Sequence, residues 1–183
     1  MFRPIDLSGA ANHRILYECV PENLEHFGLD DVCILEKESE PYGEKIFNGV
    51  AFRFTQGEFD NVCCENQEID VNARAKTIHF LGFSFWGDNR ETFEVVYEDG
   101  TSEEIKIMML DWSHSLETLG VPGHFDFYGN TVQTSAPFLA SGRLTFLAYM
   151  HQDSAPLRED RIISKLRFPN NSFFHVVAVT LED

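Results

Sequence analysis

Apolar side chains recur at every second position through most of this chain, in short runs separated by clusters of Gly, Pro, Asn and Asp. A period of two puts successive side chains on opposite faces of an extended backbone. The pattern therefore predicts β-strands with a face turned to a core. The clearest block runs from Thr77 to Trp112. Thr77–Phe85 is apolar on both alternating faces, with Ile78 and Phe80 on one and Leu81, Phe83 and Phe85 on the other. That predicts a strand covered on both sides. Phe93, Val95 and Tyr97 then alternate with Glu94, Val96 and Glu98, and Ile105, Ile107 and Met109 alternate with Lys106, Met108 and Leu110. Asp99-Gly100 lies between these two runs. It predicts a hairpin, because Gly accepts the positive φ of a tight turn.

The remaining runs are shorter. Ile15, Tyr17 and Cys19 alternate, and Asp31–Glu36 is a short apolar run. Lys37–Lys45 is charged, carries Pro41 and Gly43, and reads as a loop. Phe47–Phe54 reads as one strand, followed by a turn from Gln56 to Asn61. Val62, Cys64, Ile69 and Val71 form a run broken at Glu65-Asn66-Gln67, and Asn72–Lys76 reads as a connector. Ser113–Pro137, punctuated by Gly120, Pro122, Gly123 and Gly129, reads as a long loop. A loop of that length in a compact domain is functional or covers a sheet face. Ser141–Gln152 reads as a strand. Arg161–Phe168 and Phe173–Leu181 read as two strands joined by a turn at Pro169-Asn170-Asn171-Ser172, the last of them apolar on both faces and so central in a sheet. No helix of ordinary length is predicted. The pattern gives one all-β domain over residues 1–183, an antiparallel β-sandwich or jelly roll.

Composition narrows the partners. A net charge of −16 leaves no basic stripe to neutralise phosphates, so neither nucleic acid nor an anionic membrane is an expected partner. The first residues, MFRPIDLSGAANHR, hold no apolar run of signal-peptide length, and a cytoplasmic location is expected. Cys63 and Cys64 are adjacent, so on a strand they point to opposite faces, and no CxxC spacing is present. Reduced, buried thiols are expected for most of the four cysteines.

Candidate chemistry gathers in two connections. Trp86, Asp88, Asn89 and Arg90 fall in one short turn, and Trp112, His114, His124, Asp126 and Tyr128 in the next long one. Flat aromatic faces with planar polar groups are what the C–H-rich faces and hydroxyls of a sugar require. These nine residues are therefore the candidate carbohydrate-binding set, on the expectation that both connections share one end of the sandwich. In the alternative reading, a small glycosidase-like enzyme, Glu91, Asp111 and Asp126 are the candidate carboxylates. His79, His114, His124, His151 and His175 are scattered, without the clustering a transition-metal site needs. No cofactor is expected. Calcium is left open by the oxygen-rich turns at Asp30-Asp31, Asp60-Asn61 and Glu182-Asp183. A third reading is a protein-interaction module using Phe173-Phe174 or the acidic surface, and exposed edge strands would favour a homodimer.

Four segments also carry a likeness to a known family. They are Ile5-Asp6-Leu7-Ser8 with Asn12, then Phe59-Asp60-Asn61-Val62 leading to Gln67-Glu68-Ile69-Asp70-Val71, then Ile78-His79-Phe80-Leu81-Gly82 followed by Tyr97-Glu98-Asp99-Gly100, and finally Ile163–Asn170 followed by Ala178–Leu181. In order and spacing they resemble galactose-binding-like β-sandwich domains, the jelly rolls appended to bacterial glycoside hydrolases as carbohydrate-binding modules. The resemblance implies sugar binding through loops at one end of the sandwich, often with a structural calcium at the rim. The matching residues are mostly strand cores and turns, so the resemblance assigns no ligand residue here.

Overall fold

The computed structural model describes residues 1–15, 33–35, 42–112, 125–127, 130–132, 134–141 and 145–183. Fifteen strands run through the described residues: β1 Phe2–Pro4, β2 Cys33–Leu35, β3 Gly43–Phe47, β4 Val50–Phe54, β5 Val62–Glu65, β6 Glu68–Ala73, β7 Thr77–Ser84, β8 Asn89–Tyr97, β9 Ser102–Met109, β10 Phe125–Phe127, β11 Asn130–Val132, β12 Thr134–Ser141, β13 Thr145–Pro156, β14 Ile163–Arg167 and β15 Asn170–Glu182. A seven-stranded sheet has the order β1-β15-β7-β13-β12-β2, with β5 also paired to β15. A four-stranded sheet has the order β6-β14-β8-β9, and β3-β4 and β10-β11 form separate hairpins. The pairings are antiparallel. The all-β antiparallel sandwich expected from the alternating pattern is the architecture found.

The two faces of β7 divide the core. Ile78 and Phe80 meet Phe93, Val95, Tyr97, Ile105, Ile107 and Leu166 of the four-stranded sheet. Leu81 and Phe83, with Val177 and Ala178 of β15, meet Val50, Phe52 and Phe54 of β4 on the other side. The Thr180 hydroxyl ties the layers by donating to the Ala51 carbonyl at 2.7 Å. β7 and β15 therefore form the middle of three layers, which is why both are apolar on both faces. A β-bulge between Val176 and Ala178 shifts the β15 register against β7. Beside it, a Cβ on Gly82 would lie 2.1 Å from the His175 carbonyl oxygen. The outer face of the four-stranded sheet carries Glu94, Arg167, Glu68, Lys165 and Asp70 as one run of alternating charge across three strands. Among the described residues no helix is long and apolar enough to cross a membrane.

Several boundaries differ from the expected ones. Residues 43–45 of the expected loop Lys37–Lys45 are instead strand and, with the expected single strand Phe47–Phe54, form a hairpin with Phe47 opposite Val50, while residues 37–41 lie outside the described residues. Its two-residue turn is Asn48-Gly49, with φ of 46° and 79°. Both central residues are left-handed, as hairpin turns that follow strand twist require. β6 extends to Ala73, into the expected connector. The expected turn at 169–172 is mostly strand, since β15 begins at Asn170 and reaches β5 through a bulge. The expected loop Ser113–Pro137 contains β10, β11 and the start of β12, and Ser141 ends β12 rather than beginning a strand. Residues 16–20 of the first expected strand lie outside the described residues.

Candidate functional site

The connection from β7 to β8 is only four residues, 85 to 88, and it turns by placing two of them in the left-handed region. Trp86 has φ 58° and Gly87 φ 113°. A bulky residue with positive φ is uncommon and persists only where its surroundings hold it there. Side chains provide that hold. Gly87 N–H donates to Asp111 Oδ2 at 2.7 Å, and Asp111 N–H donates back to Asp88 Oδ1 at 2.8 Å. The Ser84 hydroxyl donates to the Gly87 carbonyl at 2.8 Å. Asn89 Nδ2 donates to Ser84 Oγ at 2.5 Å and to the Gly87 carbonyl at 3.0 Å. These bonds bind the turn's backbone and leave the Trp86 side chain standing out, 64% exposed.

A second strand completes the tip. Phe85 N–H donates to the Phe173 carbonyl at 2.9 Å, which places the bulged start of β15 beside the turn. Phe173 is 45% exposed, whereas Phe174 is fully buried in the core between the sheets. Asn171 braces this segment. Its Nδ2 donates to Glu91 Oε1 at 2.6 Å and Asn89 Oδ1 at 3.2 Å, and its Oδ1 accepts Phe173 N–H at 3.0 Å. Two exposed aromatics, Trp86 and Phe173, thus occupy adjacent strand ends with the Asn171–Glu91 pair beside them.

The expected set is only partly gathered here. Trp86, Asp88 and Asn89 are together, but Asn89 and Arg90 belong to β8 rather than to a loop. Arg90 is exposed. Trp112 is at the same end, since its N–H donates to the Ser84 carbonyl at 2.9 Å. Its ring, however, packs on the core side, 6.0 Å from Phe85, so it supports the tip from beneath. Asp126 falls on β10 opposite Thr131. His114, His124 and Tyr128 lie outside the described residues. Of the candidate carboxylates, Asp111 and Glu91 accept bonds from Gly87 and Asn171. Asn171 and Phe173 join the site through pairing across β5 and β7. The sequence shows only a turn-like Asn-Asn and a pair of Phe.

Behind the tip lies a buried aromatic and polar cluster. His175 is 2% exposed, stacks on Phe83 at 4.9 Å, and meets Phe85 and His13 edge-on at 5.0 and 4.8 Å. Its Nδ1 is 2.8 Å from Asn61 Oδ1 and its Nε2 is 3.1 Å from the Ser172 carbonyl. Asn61 Nδ2 donates to the His13 carbonyl and to Asp60 Oδ1, both at 3.0 Å, which fixes the amide so that its oxygen faces His175. Both ring nitrogens of His175 thus face acceptors, and the neutral ring donates to one of the two. A second proton would let the ring donate to both, but burial opposes it more strongly and the nearby His13 adds repulsion. The imidazole is held down to about 3.

Other candidate groups have structural partners. His79 Nε2 lies 3.0 Å from Glu182 Oε2, Asp183 binds Arg3, and Asp60 Oδ1 also accepts Ile15 N–H at 3.0 Å. Among the described residues no group of three or more His, Cys, Asp or Glu is arranged to hold a metal. Cys64 is buried in the core, and burial raises its thiol well above the usual range. Cys63 is half-buried and pushed up to about 11, by burial first and then by Glu65. Both are protonated thiols at neutral pH, not activated nucleophiles. Against known proteins, the family model of the AziU2-like beta-sandwich domain matches residues 39–183. No curated protein matches the chain.

Proposed function

We propose that this chain, which belongs to the AziU2-like β-sandwich family, is a non-catalytic carbohydrate-binding module that presents Trp86 as a stacking platform. The observation that carries the reading is the Trp86 turn: an indole 64% exposed, on a left-handed backbone tied by Asp111, Asp88, Ser84 and Asn89. An exposed aromatic face suits the C–H face of a sugar, and the bonded backbone beneath it lowers the ordering entropy of the complex. Asn171 and Glu91 supply planar polar groups at the same end of the sandwich. The matched family supports the β-sandwich but not the galactose-binding-like type, so the sugar reading rests on the Trp86 turn. The enzyme reading has less support, since Asp111 and Glu91 serve as acceptors that brace the tip.

One observation favours a second reading. Phe173, 45% exposed, lies on the strand bonded to Phe85 at the same end as Trp86, and exposed aromatics are what a protein partner uses as hot spots. The test is tryptophan emission during titration with neutral mono- and oligosaccharides, with and without calcium. A saturable change lost in Trp86→Phe and kept in Trp112→Phe supports sugar binding. No change in any sugar, with Trp86 emission red-shifted as an exposed indole requires, overturns it in favour of protein docking.

A further inference from the structure

The end of the sandwich opposite Trp86 has a different electrostatic character. There β6 passes to β7 through Arg74, Ala75 and Lys76. Ala75 is buried, while Arg74 and Lys76 are exposed. Both cations, on either side of the buried Ala75, border one hollow. The connector is pinned on both edges. Lys76 N–H donates to the Glu182 carbonyl, and the Lys76 carbonyl accepts Leu157 N–H, each at 2.8 Å. Arg3 comes in from β1 and donates to the Arg74 carbonyl and to Asp183 Oδ1, each at 2.5 Å.

Arg3, Arg74 and Lys76 line one open hollow of about 420 Å³ together with Ala75, Glu159 and Asp183. Arg3 and Asp183 neutralise one another. Within this hollow that leaves the two cations Arg74 and Lys76 with the one acid Glu159, although Arg74 also borders a second hollow lined by Glu98, Asp99, Asp160 and Arg161. The net charge of −16 does not decide the matter. At physiological ionic strength charges more than about 8 Å away are largely screened, so the groups lining the hollow dominate.

We propose that this hollow binds a small oxyanion, a phosphate or phosphate monoester, between Arg74 and Lys76. A guanidinium fork and an ammonium bordering one hollow match the oxygens of a tetrahedral anion. The hollow falls within the range of small-molecule sites, roughly 300–1,000 Å³, and leaves room for the organic part of an ester.

The experiment follows backbone amide resonances of the ¹⁵N-labelled full chain during titration with inorganic phosphate and, separately, glycerol phosphate, with ionic strength held constant by chloride. Saturable shifts confined to Arg74, Ala75, Lys76, Leu157 and their neighbours are expected. The Arg74→Ala/Lys76→Ala double variant should weaken binding about tenfold or more. Lys165→Ala, on the outer charged face, is the control for loss of one surface cation and should leave binding unchanged. Tighter binding of the ester than of phosphate identifies the ester as ligand, and equal binding identifies phosphate. Non-saturating or scattered shifts, or shifts unchanged in the double variant, would overturn the proposal.

Discussion

Acidification should destabilise this fold through one residue, His175. The ring is 2% exposed, and burial with the neighbouring His13 holds its pKa down to about 3. In the unfolded chain the same group titrates near 6.5. Between those values the unfolded state binds the extra proton, so stability is full above about 6.5 and falls as pH drops toward 3. From pH 7.5 to pH 5.0 the loss from this one group is about 2 kcal/mol, or 1.36 kcal/mol for each of the 1.5 units below 6.5. Asp60, His13 and Cys63 are the titratable neighbours of the same network, and they remain in a His175→Asn variant. That variant keeps an N–H for Asn61 Oδ1 but does not titrate. Urea unfolding of both proteins at the two pH values isolates the effect. Wild type should lose about 2 kcal/mol more than His175→Asn. Parallel pH profiles would show that His175 keeps an ordinary pKa when folded, and the burial argument would be refuted.

Gly82→Ala should destabilise by about 3 kcal/mol or more, read by thermal or urea unfolding, because the new methyl meets backbone at the β15 bulge and neither strand is free to move. Asp111→Ala removes the acceptor for Gly87 N–H. It should cost about 1–2 kcal/mol, loosen Trp86 so that its emission anisotropy falls, and abolish any sugar response. Gly49→Ala, at φ 79° with open space around it, should cost only about 1 kcal/mol of stability from backbone strain.

The fold was legible where local chemistry decides it. Asp99-Gly100 turns where expected, with Gly100 at φ 81° and the Asp99 carboxylate accepting the Thr101 N–H. The doubly apolar runs in β7 and β15 correctly marked the central strands, since only a strand covered on both faces needs apolar residues at every position. Asn48-Gly49 carried the same hairpin signal but was hidden inside a run whose apolar residues continue on both sides. The site was less legible because its contacts span the chain. Asn61 meets His175 across 114 positions and Asn171 meets Glu91 across 80, separations at which sequence pattern has no signal. Trp112 read as a loop aromatic because nothing local shows that Phe85 lies beneath it.

The place of β15 in the large sheet bears on how the protein is made. This strand pairs with β1, β5 and β7, so one C-terminal segment joins pieces drawn from the first half of the chain. During translation those pieces leave the ribosome early and wait for residues 170 to 182 to be synthesised. Until then the Phe-rich faces of β4 and β7 lack their partner, and the edge of β7 is an open template for pairing with another nascent chain. The central pairing of the large sheet thus waits for β15, and expression yield depends on how well that interval is chaperoned.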